Sequence, residues 1–229
     1  MNTWTLTPNR FLSKAELGEL LRKAEDLRAL GLARNQKQLV RDWAIIRFSL
    51  LSGLRANELA QLKVTDCFVG YARSEVGVRC GKGGKSRVVH IGEDLKRDLR
   101  WYLGWKRENS ECGDDEFLIR SQRAPKMTSN ALWRRWKKYC PEHRLHDARH
   151  TNAVLLYEAS KDIRLVQKQL GHSRISTTAI YADVCDERMK AGLTSMEGIA
   201  RLAMKGPKDC ELPRNLPRKP SRIAGTVAS

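Results

Sequence analysis

Apolar positions along most of this chain recur every three or four residues, the spacing of amphipathic helices. The first run follows a capping box, in which Glu16 stands three residues after Ser13, and we expect Gly31 to end it. Its apolar positions are Leu17, Leu20, Leu21, Ala24, Leu27 and Leu30. A second run reaches Gly53, and its apolar face is formed by Leu39, Trp43, Ile46 and Leu50. The front of the chain is therefore predicted to be two helices, with Arg55 at the start of a third, short one.

The pattern changes between residues 64 and 91, where a glycine-rich turn at 81–85 separates two short apolar stretches. Apolar residues alternate before the turn, at Val76, Val78 and Cys80, and Val88 and Ile91 lie beyond it. A period of two, interrupted by a short turn that contains glycine, predicts a β-hairpin.

Helical spacing returns beyond residue 91. We expect helices near residues 95–102, 128–139, 146–160, 162–170 and 187–204. Gly171 is expected to end the helix before it, and Ser176 to cap the next one, which carries Tyr181. These elements predict an α+β fold, mostly helical with a small antiparallel sheet, in one domain over residues 1–204. The basic tail at 205–229 is interrupted by four prolines, and we expect it to be disordered.

The net charge of the chain limits the classes of function that it can have. The 229 residues include 43 Lys and Arg against 26 Asp and Glu, which gives a net charge of +17 and favours a polyanionic partner. A nonspecific RNA-associated protein would have a similar net charge, so charge alone does not exclude that alternative. No apolar run is long enough for a membrane span, the N-terminus lacks a signal-peptide pattern, and the six cysteines are scattered without a C-x-x-C pair. We therefore expect a cytoplasmic protein with reduced cysteines.

Four stretches carry candidate chemistry: residues 52–59, 146–150 and 170–172, and Tyr181. Cleavage of a phosphodiester by a protein nucleophile needs fixed cations at the nonbridging oxygens, a proton for the leaving oxygen and a nucleophile that can lose its own proton. These stretches, with Lys82 in the glycine-rich turn, supply arginines, histidines, a lysine and a tyrosine. Arginine suits the cationic role because its planar fork binds two oxygens and keeps its proton.

The ordered set G-L-R-x-x-E-L, H-x-x-R, L-G-H and tyrosine resembles the tyrosine recombinase family, the phage-integrase-type site-specific recombinases. The resemblance covers about residues 11–204 and implies that family's catalytic-domain fold. It implies DNA strand breaking and rejoining through a 3′-phosphotyrosine, without a cofactor or metal. By resemblance, Arg55 and Arg149 bind the scissile phosphate, and Tyr181 attacks it.

The resemblance also implies how protons are handled. His146 orients the phosphate or accepts the tyrosine proton, and His172 reaches the same phosphate. Lys82, on the hairpin, protonates the leaving 5′-oxygen, and Lys85 is the alternative. His150 is interpreted as a structural, hydrogen-bonding histidine.

Other interpretations stay open at this stage. Arg55 can be a surface arginine and Tyr181 a core tyrosine, and the lysines can be a solvated hairpin tip that touches only backbone phosphates. A zinc site is an alternative for four residues: Cys140, His143, His146 and His150. A catalytically silent DNA-binding module and a type IB topoisomerase are the rival functions.

Most relatives carry an additional helical DNA-clamping domain of roughly a hundred residues, for which this chain has no room. We therefore expect a naturally short recombinase, a fragment or the partner of an accessory DNA-binding protein. The expected partners are double-stranded DNA and further copies of the chain, assembled as a tetrameric synapse, with no membrane.

Overall fold

The protein folds mainly into helices, as a computed structural model shows for residues 10–79, 86–113, 115–122, 124–172, 175, 177–182 and 196. Apart from Met196, all of these belong to a compact unit over residues 1–188. The helices are α1 (Lys14–Ala33), α2 (Lys37–Ser52), α3 (Ala56–Gln61), α4 (Glu93–Glu108), α5 (Ser129–Tyr139), α6 (Leu145–Ser160) and α7 (Ile163–Leu170). Residues 177–182 are also helical. The predicted tail and most of the predicted helix at 187–204 lie outside the described residues.

Three short strands form an antiparallel sheet in chain order, β1 (Cys67–Phe68), β2 (Glu75–Val78) and β3 (Arg87–His90). The register of β2 and β3 pairs Val76 with Val89 and Val78 with Arg87, which confirms the predicted hairpin. Its turn at 81–85 lies outside the described residues.

The prediction that Gly31 ends the first helix is wrong, because α1 continues to Ala33. A Cβ at Gly31 would lie 2.9 Å from Cγ2 of Val40 on α2. The glycine therefore permits close packing of α1 against α2. Gly53 and Gly171 do end α2 and α7, and both adopt the left-handed conformation, with φ of 66° and 67°.

The core surrounds α2, which packs against α1, α4, α5 and α6. Its buried apolar residues are Val40, Trp43, Ala44, Ile45, Ile46, Phe48 and Leu50. A second, smaller cluster lies under α6 and α7. It consists of Phe11, Ala153, Val154, Val166, Leu170 and Tyr181. The candidate nucleophile is therefore part of a packed apolar cluster. Among the described residues, no helix is long and apolar enough to span a membrane.

Candidate active site

Arg149 lies where three helices meet. Its side chain, on α6, is 1% exposed and donates hydrogen bonds of 2.7 Å to the backbone oxygens of Gly53 and Leu170. These oxygens stand at the ends of α2 and α7, where backbone carbonyls lack intrahelical partners and the helix dipole favours a cation. A guanidinium has five N–H donors, so two such bonds leave capacity for a phosphate.

The Glu58 carboxylate, buried on α3, organises the arginines around it. It accepts hydrogen bonds from the backbone N–H and Nη1 of Arg55, both at 2.8 Å. Arg87 binds it in bidentate fashion at 2.7 and 2.8 Å, and Nη1 of Arg149 lies 3.9 Å away. Burial raises the pKa of Glu58, but the bonds from Arg87 and Arg55 outweigh it and lower the pKa to about 2. The carboxylate is therefore ionised and fixes the arginines in one arrangement.

Arg87 connects the sheet to the same centre. It begins β3, and its side chain passes directly over Gly171, where an added Cβ would lie 2.7 Å from Cδ of Arg87. The absence of a side chain at Gly171 thus leaves the space that Arg87 occupies on its way to Glu58.

Tyr181 is 1% exposed, and its hydroxyl lies 2.9 Å from Nδ1 of His150 on α6. The His172 ring stacks on the Tyr181 ring, with centroids 6.4 Å apart and an interplanar angle of 18°. Nδ1 of His172 lies 3.1 Å from the hydroxyl of the buried Thr178, which fixes the orientation of that imidazole. Two histidines from different parts of the chain therefore flank the phenol.

Burial and nearby charge set the protonation states of the site. Burial raises the pKa of Tyr181 to about 12 against the opposing charges of Arg149 and Arg55. Burial lowers the pKa of His172 to about 4, aided by the charges of Arg149 and Arg55. The same physical cause, with the charges of His146 and Arg149, lowers the pKa of His150 to about 3. At neutral pH the phenol is protonated and both imidazoles are neutral.

The zinc alternative has no support in this geometry. Nε2 of His143 lies 3.3 Å from Glu16, the exposed His146 packs edge-on against the His150 ring, and His150 contacts Tyr181. Across the part of the chain that the structure describes, no group of three or more His, Cys, Asp or Glu residues is arranged to hold a metal ion.

Comparison with known proteins identifies the family of the chain. The profile described as the phage integrase family matches residues 10–188. The chain belongs to this family.

Two curated relatives in the family are tyrosine recombinases. XerA of Pyrococcus horikoshii is 35% identical over 161 residues, which cover 67% of this chain and 54% of that protein. XerD of Oceanobacillus iheyensis is 32% identical over 186 residues, which cover 76% of this chain and 61% of that protein. The chain therefore spans between about half and three fifths of the length of these relatives.

Solved structures share the fold. The crystal structure of XerA recombinase matches with a TM-score of 0.65 at 26% identity, covering 84% of this chain and 66% of that one. XerH recombinase bound to its difH substrate matches with a TM-score of 0.62 at 24% identity, covering 78% and 51%. These matches confirm the predicted family fold, mostly helical with a small antiparallel sheet.

The structure brings together most of the predicted phage integrase site. Arg55, Arg149, His172 and Tyr181 are gathered around the ends of α2, α6 and α7, as the contacts above describe. The exposed His146 lies beside His150, with ring centroids 4.6 Å apart. Lys82 and its alternative Lys85 lie outside the described residues.

The structure places two further residues in contact with the candidate site residues. Arg87 received no role from the sequence, yet it is the bidentate partner of Glu58. His150 was interpreted as structural, yet its partner is the candidate nucleophile. A signal for His150 was present, because positions four apart share a helical face and His146 stands four residues before it.

Proposed function

We propose that this chain is the catalytic part of a site-specific DNA recombinase of the integrase and invertase type. The observation that carries the proposal is the convergence of Arg149, His172 and Tyr181, from three separate segments, beside the Arg55–Glu58 pair. Fixed cations and a flanked phenol are what transition-state stabilisation and nucleophilic attack on a phosphodiester require. The curated relatives are named tyrosine recombinases, which supports the same reaction.

In this reaction, the Tyr181 hydroxyl gives its proton to a neighbouring imidazole, and its oxygen forms a bond to the scissile phosphorus while the bond from phosphorus to the 5′-oxygen breaks. Arg55 and Arg149 stabilise the charge that grows on the nonbridging oxygens, and neutral His172 donates a hydrogen bond to one of them. Lys82 gives its proton to the departing 5′-oxygen. The 5′-hydroxyl of a partner strand reverses the step, so the phosphotyrosine conserves the bond energy and no nucleotide cofactor is needed.

The proposed partners are double-stranded DNA and further copies of the chain. The net charge of +17 supports DNA binding, as does the similarity to XerH, whose crystal structure contains its difH substrate. Exchange between two duplexes requires four cleavages, which leads us to propose a tetrameric synapse in the cytoplasm. An accessory DNA-binding protein is a further proposed partner.

A nicked suicide substrate tests the proposal, since loss of the short cleaved strand traps the covalent adduct. We expect an adduct from the parent chain in excess chelator and none from Tyr181→Phe, which removes one hydroxyl and no charge. Both proteins should bind the DNA equally. Binding without an adduct in the parent would indicate the silent module instead. Relaxation of supercoils without strand exchange would indicate a topoisomerase. Loss of adduct formation in chelator that zinc or magnesium restores would indicate a metal-dependent enzyme.

The role of Lys82 has its own test through the leaving group. Lys82→Ala should be slow on normal DNA and should recover when sulfur replaces the scissile 5′-oxygen, because a thiolate leaves without a proton. Lys85→Ala is the matched control and should show neither the large defect nor the recovery. Recovery of Lys85→Ala alone would exchange the two roles.

A further inference from the structure

Among the described residues, His150 makes a polar contact with the hydroxyl of the candidate nucleophile, Tyr181. Nδ1 of His150 lies 2.9 Å from the Tyr181 hydroxyl, within normal hydrogen-bond distance. Both side chains are buried, at 4% and 1% exposure, and the residues stand 31 positions apart. The fold therefore creates this contact, whereas the resemblance had offered His146 as one possible acceptor of the tyrosine proton.

We propose that His150 accepts the Tyr181 proton as the phenol attacks the scissile phosphate, an inference that rests on the proposed function. The proton passes from the Tyr181 hydroxyl to Nδ1 while the oxygen bonds to phosphorus and the bond to the 5′-oxygen breaks. The 5′-oxygen takes its proton from a separate acid, so protons balance. This step requires the tautomer that carries its single proton on Nε2, which leaves the lone pair of Nδ1 to accept.

The electrostatics of the pocket keep both partners of this contact uncharged before the reaction. Burial, together with the charges of His146, Arg149, Arg10 and His172, keeps the pKa of His150 low and the imidazole neutral at physiological pH. A protonated imidazole has no lone pair to offer. The high pKa of Tyr181 keeps the proton on the phenol at rest, and it becomes acidic only as its oxygen bonds to phosphorus. In our proposal the proton then passes to the imidazole that contacts the phenol.

His146 is the competing acceptor, and its position disfavours it. The residue is exposed, and its ring meets the His150 ring edge-on, with an interplanar angle of 87°. His150 is the imidazole within hydrogen-bond distance of the phenol. This leaves His146 the other role that the resemblance implies, which is orientation of the phosphate.

The first test compares His150→Asn with His146→Asn on the nicked substrate in single turnover. Asparagine places an amide near the former Nδ1, so it keeps a hydrogen-bonding group but cannot take a proton. We expect His150→Asn to form the adduct about 10²-fold more slowly or worse, with unchanged DNA affinity and a cooperative unfolding transition. A rate within threefold of the parent would overturn the proposal.

A more acidic nucleophile then separates proton removal from positioning. With 3,5-difluorotyrosine at position 181, the phenol ionises without help, so His150→Asn should recover most of its lost rate. His146→Asn should stay slow with either nucleophile. If His150→Asn does not recover, His150 only positions the phenol. If His146→Asn recovers instead, His146 is the base, and either result rejects our assignment.

A measurement on the folded chain avoids the risk that a buried variant misfolds. In ¹⁵N-histidine spectra, Tyr181→Phe should shift the Nδ1 resonance of His150 more than any other histidine nitrogen, because it removes the donor. An unchanged resonance would overturn the proposal. These outcomes are distinct from failure of the proposed function, in which the parent chain itself would form no adduct.

Discussion

Arg149 and Arg55 are both candidate phosphate ligands, yet their surroundings differ. Arg149 is buried and bonds to two helix-end carbonyls, whereas Arg55 is part-buried and bonds to the Glu58 carboxylate, which Arg87 also holds. Removal of Arg149 leaves buried carbonyls without a donor, while removal of Arg55 leaves Glu58 still paired. Loss of a buried hydrogen-bond partner costs roughly 1–3 kcal/mol.

Arg55→Ala and Arg149→Ala should therefore separate stability from catalysis. We expect both to slow adduct formation by about 10²- to 10³-fold, because each removes a preorganised donor. Only Arg149→Ala should lower the free energy of unfolding by about 2 kcal/mol or more, with Arg55→Ala losing about 1 kcal/mol or less. Urea unfolding and single-turnover cleavage measure the two effects. Equal stability losses would contradict the structural role of Arg149.

The Glu58 carboxylate should make the stability of the protein depend on pH. Its pKa in the folded chain, about 2, is below the ordinary value of 4.5, so its ionised form contributes stability above pH 4.5. That contribution is lost as the pH falls toward the folded pKa. Glu58→Gln should destabilise the protein by about 3 kcal/mol at pH 7, as for a broken buried ion pair. The difference from the parent should shrink between about pH 4.5 and 2 in urea titrations, and a constant difference would contradict this assignment.

Helix α6 is the element on which the site depends most. It carries His146, Arg149 and His150, which its 3.6-residue period places on neighbouring faces. Its side chains also hold the end of α2, since Asn152 donates a 3.1 Å hydrogen bond to the Leu50 oxygen. One helix therefore positions the catalytic candidates and fixes the loop that presents Arg55.

The turn after α7 offers a test at this scale, with a matched control in α4. Gly171→Ala places a Cβ at positive φ and against Arg87, so we expect a loss of at least about 1 kcal/mol in unfolding free energy. Gly104→Ala adds a Cβ with no heavy atom within 4 Å inside a helix and should gain up to about 1 kcal/mol. Adduct formation should slow only in Gly171→Ala, because Arg87 must move. Similar urea midpoints for the two variants would contradict this account.

At the scale of the whole molecule, we expect the net charge to govern the affinity of the chain for DNA. The excess of 43 basic over 26 acidic residues favours binding through counterion release from the duplex. Such binding is independent of the chemical step, because phosphate contacts position the protein whatever the nucleophile does.

Affinity for duplex DNA should therefore fall steeply with salt. We expect log K to decrease by about 0.9 per phosphate contact for each unit of log salt concentration. Tyr181→Phe should keep the slope, since it changes no charge, while Arg55→Ala should reduce it by about 1. Fluorescence anisotropy across a salt series measures this. A flat dependence would reject electrostatic binding by this basic chain.

Sequence alone was sufficient for features that depend on local rules. Apolar spacing predicted α2, α4, α5, α6 and α7, and Gly53 and Gly171 marked helix ends because only glycine adopts positive φ without strain. The same reasoning failed at Gly31, where the glycine serves packing between α1 and α2 rather than termination. A local rule cannot distinguish these uses, since the partner helix lies elsewhere in the chain.

The sequence showed the residue types of the candidate site in an ordered series, and the family that this series resembles is the family to which the chain belongs. It did not show which of these side chains contact one another. Arg87 reaches Glu58 across 29 positions and His150 reaches Tyr181 across 31. Such contacts depend on how α6, α7 and the sheet pack, and on which side chains that packing buries together. Sequence therefore determined the elements and the chemical inventory, while the tertiary structure decided which imidazole lies within hydrogen-bond distance of the Tyr181 hydroxyl, because hydrogen bonds form between neighbours in space.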